Sequence, residues 1–301
     1  MALSLEQAVQ RVPAWHGQSN LKSSFLSGGI TNLNYRVETS DGPFVLRIGG
    51  EASELLGITR EAEYAAHSAA ARIGLAPEVL YFIRPEGYLV TRFIQGRPIP
   101  PKEIRQPATL QRIVETMHRY HALPPIDWTF SPFRAVETYA ETACGHGVAL
   151  PRPYEGWLTD LGSIESAVAS HPSPARLCHN DLLNANFLDD GQVRILDWEY
   201  AGMGDVEFDL ANLSVHHEFR DEHDQFLLTA YFGVPATPSR LARLRLLKIA
   251  SDFREAMWGM VQAGISKLDF DFRGYADRHF RRMAARTQAP VFRQWLEEAK
   301  G

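Results

Sequence analysis

The sequence predicts an α+β chain of two lobes: a small N-terminal β-sheet lobe with one main helix, then a larger and mostly helical C-terminal lobe. Three observations predict it. Strand-like alternation and turn signals dominate residues 1–95, helical spacing dominates most of 96–301, and the stretch Gln95-Gly96-Arg97-Pro98-Ile99-Pro100-Pro101 between them is rich in turn formers. At 301 residues, 45% hydrophobic and 22% charged, the chain is long enough to give each lobe its own core.

Residues 21–26 read as a first strand leading into Ser27-Gly28-Gly29-Ile30-Thr31-Asn32. Asn34-Tyr35-Arg36-Val37-Glu38 alternates, Asp41-Gly42 signals a hairpin, and Phe44-Val45-Leu46-Arg47-Ile48 returns. Alanine-rich 59–73 favours a helix that Gly74 and Pro77 stop. Residues 79–83 and 88–93 follow as strands. Beyond the junction, 107–123 and 154–170 carry helical spacing. A strand-bearing island holds 176–178, 186–188 and 193–196, with Asp190-Gly191 as its hairpin turn. Helices are then expected over 207–217 and 221–232, and a long one opens at Thr237-Pro238. There threonine caps, proline takes the first helical position, and Leu241, Leu244 and Leu247 recur along one side.

The bulk numbers exclude several classes. A formal net charge of −5 argues against a nucleic-acid partner, which selects for a basic face, and is compatible with a cationic small molecule. No apolar run reaches the roughly 18 residues a membrane span needs, and residues 1–13 do not read as a signal peptide. Cys144 and Cys178, the only cysteines, form no C-x-x-C pair; buried, reduced thiols in a cytoplasmic protein are expected. The sequence leaves the oligomeric state open, a dimer included.

The chemistry concentrates in Cys178-His179-Asn180-Asp181-Leu182-Leu183-Asn184-Ala185-Asn186 and in Ile195-Leu196-Asp197. An aspartate alone reads as a turn cap, a lone asparagine as a buried hydrogen bonder. Together, two strands emptying carboxylates and an amide toward one point incur like-charge repulsion unless a cation sits there. H-x-D-x4-N followed by a second acid suits phosphoryl transfer. Asp181 is expected to orient an acceptor hydroxyl and take its proton. Asn186 and Asp197 are the expected ligands of Mg²⁺ on nucleotide phosphates. His179 is expected to orient its loop by hydrogen bonding.

Gly28-Gly29 lets backbone N–H groups approach phosphate oxygens, although an ordinary hairpin reads the same way. Arg47 is expected to face the α- and β-phosphates, anchored by Glu63 or by Glu61. Gly202-Met203-Gly204 lacks a third glycine and is no dinucleotide fingerprint, and no G-x4-G-K-[ST] loop occurs. His216-His217 and His118/His121 lack zinc-ligand spacing and read as surface or core histidines.

With these residues in hand, the chain resembles the choline/ethanolamine kinases, within the aminoglycoside-phosphotransferase and protein-kinase-like superfamily. Carrying the resemblance are Gly28-Gly29-Ile30-Thr31-Asn32, Val45-Leu46-Arg47, Cys178-His179-Asn180-Asp181, Leu196-Asp197-Trp198-Glu199-Tyr200, Phe208-Asp209-Leu210-Ala211-Asn212, and Trp258-Gly259-Met260-Val261-Gln262-Ala263-Gly264-Ile265-Ser266 with Tyr275-Ala276. It implies a bilobal protein-kinase-like fold, ATP and Mg²⁺ as cosubstrate and cofactor, and phosphorylation of a small amino alcohol. It adds Thr31 and Asn32 to the nucleotide loop, places adenine near Thr91 and Phe93, and assigns Glu199, Tyr200 and Trp258 to the acceptor. Aromatic faces hold a quaternary ammonium through cation–π attraction of roughly 0.5–2 kcal/mol each. Two positions depart from the pattern: His216 stands where the eukaryotic enzymes keep an acid, and Glu255 where they keep a further tryptophan. Choline, ethanolamine, thiamine, an aminoglycoside or a sugar remain as acceptors, and a non-catalytic nucleotide-binding protein remains as the alternative of another class.

Overall fold

A computed structural model of the chain describes residues 3–18, 21–26, 32–50 and 53–301. Helix α1 (Leu5–Gln10) opens it, capped by Ser4 in a capping box with Gln7. A five-stranded antiparallel sheet follows: β1 (Lys22–Leu26), β2 (Leu33–Thr39), β3 (Gly42–Ile48), β4 (Val79–Ile83) and β5 (Tyr88–Arg92), ordered β1-β2-β3-β5-β4. Gly42 closes the β2–β3 hairpin at φ 101°, which a side chain would disfavour. Val37, Phe44, Leu46, Ile48 and Val90 pack with Ala8, Val12 and Trp15, so the sheet buries one face against the N-terminal segment.

Between β3 and β4 lies α2 (Arg60–Arg72), whose acids Glu61 and Glu63 sit in the first turn, where the helix dipole favours them. Ala66 and Ala70 pack with the helices of the larger part, so the two parts share apolar surface through α2. The chain enters the larger part through β6 (Arg97–Pro98), which pairs with β8 (Phe187–Asp189), and β8 in turn pairs with β9 (Val193–Ile195). Strand β7 (Arg176–Cys178) pairs with β10 (Gly202–Gly204). These short ladders frame the segment carrying Asp181 and Asp197.

Helices fill the rest: α3 (Pro101–Ile104), α4 (Pro107–His121), α5 (Pro132–Gly145), α6 (Tyr154–Ala169), α7 (Val206–His216), α8 (Asp221–Phe232), α9 (Pro238–Ile265), α10 (Phe272–Thr287) and α11 (Phe292–Glu298). At 28 residues α9 is the axis of the part, packed by α5, α7 and α10, and from Ala242 to Gln262 only Arg245 is not buried. Thr237 caps it and Pro238 takes its first position. Among the described residues no helix is long and apolar enough to cross a membrane.

Several expectations need correction. Helices α1, α5, α10 and α11 and strand β10 were not expected; α5 announces itself only by Ser131 and Pro132, and β10 spans three residues. Asn186 lies in a 3-10 turn (Asn184–Asn186) ahead of β8, not in the strand. Both cysteines were expected to be buried, but Cys144 is exposed and only Cys178 is buried. Cys144 sits in the last turn of α5 on its outward side, next to Ala143, which holds the core side of that turn.

Candidate active site

The loop from His179 to Asn186 hangs from α7. Asp209 is fully buried and its carboxylate accepts from the His179 N–H at 2.9 Å, the Asn180 N–H at 2.6 Å and the Tyr120 hydroxyl at 2.7 Å, with His121 Nε2 at 3.0 Å. One turn on, Asn212 Oδ1 accepts from the Leu182 N–H at 2.6 Å. Asn180 turns the loop at φ 65°, a left-handed conformation asparagine tolerates, and donates to the Tyr200 carbonyl at 3.0 Å. His179 orients the loop, its Nε2 meeting the Leu196 carbonyl at 2.9 Å and its Nδ1 accepting from the Asp181 N–H at 3.3 Å. Thus Phe208-Asp209-Leu210-Ala211-Asn212 is the scaffold of the acid-bearing loop.

Asp181, Asn186 and Asp197 line one cavity of about 160 Å³, together with Glu199, Tyr200, Trp258 and Tyr275. That is small beside the several hundred Å³ that hold drug-sized ligands. The Asn186 amide donates to the Asp181 carbonyl at 2.9 Å, fixing one against the other. Asp197 follows β9 at φ 58°, again left-handed. Burial pushes the Asp197 carboxyl well up, Glu199 adding to it and Arg47 opposing it. Acids gathered at one cavity repel one another unless a cation sits among them, and an amide oxygen with a carboxylate is a hard-oxygen donor set of the kind Mg²⁺ takes.

Arg47, on β3, reaches across to Asp197 Oδ1 at 3.2 Å and forms an ion pair with Glu63. Glu63 is the partner in α2, not Glu61, which is exposed and pairs with Arg84 at 2.9 Å. Burial works against the Arg47 charge, but Glu63 and Asp197 outweigh it and keep the guanidinium protonated. Asn32 and Glu199 meet at 2.9 Å. Gly28, Gly29 and Thr31 lie outside the described residues. Thr91 is buried in β5 opposite Val45, and the Phe93 N–H donates to the Pro43 carbonyl at 3.0 Å; neither lines the cavity.

On the far wall Trp258 Nε1 donates to the Tyr200 hydroxyl at 3.0 Å, and Tyr275 donates to Glu255 Oε2 at 2.7 Å. Trp258 and Tyr275 meet edge to face at 5.6 Å. Three residues outside the predicted set also belong here. Arg254, 1% exposed, stacks on Tyr200 at 4.2 Å, pairs with Glu255 and stands 3.7 Å from Asp181 Oδ1. His216 Nε2 lies 3.8 Å from Asp181 and 3.6 Å from Glu255, so the two departures from the family pattern meet in one cluster. Burial opposes the Glu255 charge, yet Arg254 and then His216 outweigh it and hold its carboxyl well below the ordinary range. Asp181 has no such full compensation, and burial pushes it up to about 6 against the pull of Arg254. The sequence carried a signal for Arg254 and Glu255. With Asp252 they are the only charges in residues 249–265 of α9, and buried charge is costly without a purpose.

An acid, an amide and a second acid on one cavity, with an arginine on the second acid, make an arrangement that suits phosphoryl transfer. The comparisons agree. A model described as the phosphotransferase enzyme family matches residues 22–246, and the chain belongs to that family. Within it, the chain is a choline/ethanolamine kinase relative, a phosphotransferase with an alcohol group as acceptor. It is 33% identical to a choline/ethanolamine kinase family protein from Mesorhizobium loti, with 98% of each chain covered and a TM-score of 0.81. Human ethanolamine kinase 2 is 29% identical over 308 residues, covering 91% of this chain and 78% of the relative. The fold is shared with the choline kinase LicA of Streptococcus pneumoniae at 22% identity and TM-score 0.75, covering 92% and 97%, and, at TM-score 0.65, with an aminoglycoside phosphotransferase.

Proposed function

We propose that this chain moves the γ-phosphoryl group of ATP to the hydroxyl of a small cationic amino alcohol of the choline or ethanolamine class, with Mg²⁺ bound. In this reading residues 1–95 hold the nucleotide and 96–301 hold the acceptor and the catalytic acids. The observation that carries it is the meeting of Asp181, Asn186 and Asp197 with Trp258 and Tyr275 around one small cavity.

Asp181 aligns the acceptor hydroxyl and takes its proton as the oxygen attacks phosphorus. Its raised carboxyl, about 6, leaves it ionised at neutral pH yet basic enough to accept that proton. Arg47 places positive charge on the phosphates and is kept rigid by Glu63. Asn186 and Asp197 would hold Mg²⁺, which when bound supplies charge neutralisation at the phosphate oxygens. Trp258 and Tyr275 give aromatic wall and Glu255 gives negative charge for an ammonium group. Catalysis is then positioning and electrostatics, with no covalent intermediate on the protein.

The test is the Mg²⁺-dependent formation of a phosphomonoester and ADP from ATP with choline, ethanolamine, thiamine, an aminoglycoside and a hexose, compared as kcat/KM. The reading expects choline or ethanolamine to lead. A lead for the hexose or aminoglycoside overturns the acceptor class.

A further inference from the structure

Arg60 is the first residue of α2, where the helix dipole disfavours a cation. It sits there in a network of four residues from three parts of the chain. Its Nη1 donates to Glu63 Oε2 at 2.8 Å and to Glu199 Oε2 at 3.1 Å, and its Nη2 donates to Asn32 Oδ1 at 3.2 Å. Asn32 closes the ring by donating to Glu199 Oε2 at 2.9 Å. The Glu63 and Glu199 side chains are 1% and 3% exposed, so these are desolvated contacts.

The chain leaves room for this arginine at two glycines. A Cβ at Gly87, in the β4–β5 turn, would stand 2.5 Å from Arg60 Cβ and Cγ, and one at Gly49, just past β3, would stand 3.0 Å from Nη2. Stem and head each run over backbone that carries no side chain. Glu63 is also the partner of Arg47, and Glu199 lies two residues beyond Asp197, so Arg60 touches both sides of the Arg47–Asp197 contact. Glu199, assigned to the acceptor by the family resemblance, spends its Oε2 on this network.

We propose that Arg60 is a positioning residue that clamps the Asp197-Trp198-Glu199 segment to α2 and to Asn32, setting the alignment of Arg47 against Asp197 on which the nucleotide phosphates depend. The proposal rests on the phosphotransferase reading above, through its nucleotide half only. The clamp acts on phosphate alignment and leaves the acceptor wall of Trp258 and Tyr275 untouched.

The experiment is ATP binding by calorimetry with Mg²⁺, which needs no acceptor, on the full chain and on Arg60→Gln, Glu199→Gln, the double variant and Gly49→Ala, with thermal melts alongside. ATP affinity should fall by about tenfold in Arg60→Gln, and the double variant should be no weaker than the worse single, since the two residues act as one unit. Gly49→Ala, which crowds the guanidinium head, should shift affinity in the same direction with an unchanged melt, a readout that remains if Arg60→Gln fails to fold. In turnover the loss in Arg60→Gln and Gly49→Ala should fall on kcat and on KM for ATP, with KM for the acceptor within about twofold. ATP affinity within about twofold of wild type in both Arg60→Gln and Gly49→Ala, or additive losses in the double variant, would overturn the clamp. Wild type that binds ATP but phosphorylates no alcohol would overturn the acceptor reading and leave the clamp standing. Wild type that binds no ATP overturns both.

Discussion

Asp181, Asn186 and Asp197 could be picked out as a set, because acids and an amide at fixed spacing after short strands have few inexpensive explanations, and Arg47 by its place between the glycine loop and the acid-bearing helix. Arg60 and His216 could not. Each is a single polar residue on a helix, a pattern that usually marks a solvated face, and only packing reveals that they are buried or nearly so. Burial also gives single residues away from the site a measurable effect. It pushes His67 down to about 4 and His217 down to about 3, each held neutral with one ring nitrogen on a backbone carbonyl. In the unfolded chain an imidazole titrates near 6.5, so the unfolded state binds the extra protons below that pH. The stability from each is complete above about pH 6.5 and is lost as pH falls toward the folded value, on the order of 3 kcal/mol for His67 and about 5 kcal/mol for His217 at the acid end. Urea unfolding from pH 7 to 4.5 should therefore show a shallower acid loss in His67→Gln than in wild type; an unchanged slope would refute the assignment.

Among elements, α7 and α9 carry the site. The first five-residue motif of α7 was legible as a family mark but not as a mechanism, since the sequence does not show that Asp209 and Asn212 face the backbone of the 179–182 loop. Asp209 is the keystone: removing its charge weakens two backbone donors, the Tyr120 hydroxyl and His121 at once. Asp209→Asn should cost about 3 kcal/mol in denaturant unfolding, given four buried donors, one of them cationic when protonated. It should also lower kcat by displacing Asp181. Stability within about 0.5 kcal/mol of wild type would show that the loop is held by something else. Helices α4, α6 and α8 were legible within two residues, with Pro107 at the first position of α4 and Gly233 at the end of α8 as terminal signals. Helices α5 and α10 were not. In α10 five arginines and an aspartate interleave with the stripe of Phe272, Ala276, Phe280 and Met283 that is buried in the core.

Across the whole molecule, a sheet with one core and a helical body with another meet through α2, and the groups we propose for the chemistry come from both sides of that meeting. Arg47, Glu63, Arg60 and Asn32 come from the first part; Asp181, Asn186, Asp197 and Glu199 come from the second. The two-part layout was legible because period two gives way to the helical period at a turn-rich junction. The contacts across it were not, since no local pattern encodes which arginine meets which acid. The account turns on Asp181 as the group that readies the acceptor hydroxyl, and the most direct measurement follows the phosphoryl group itself. Phosphorus NMR of ATP, Mg²⁺ and the preferred amino alcohol should show phosphomonoester and ADP rising together with the wild-type protein. With Asp181→Asn the rate should fall by about 10²–10⁴-fold while ATP affinity stays near wild type. Phosphomonoester appearing at the wild-type rate with Asp181→Asn would contradict the account.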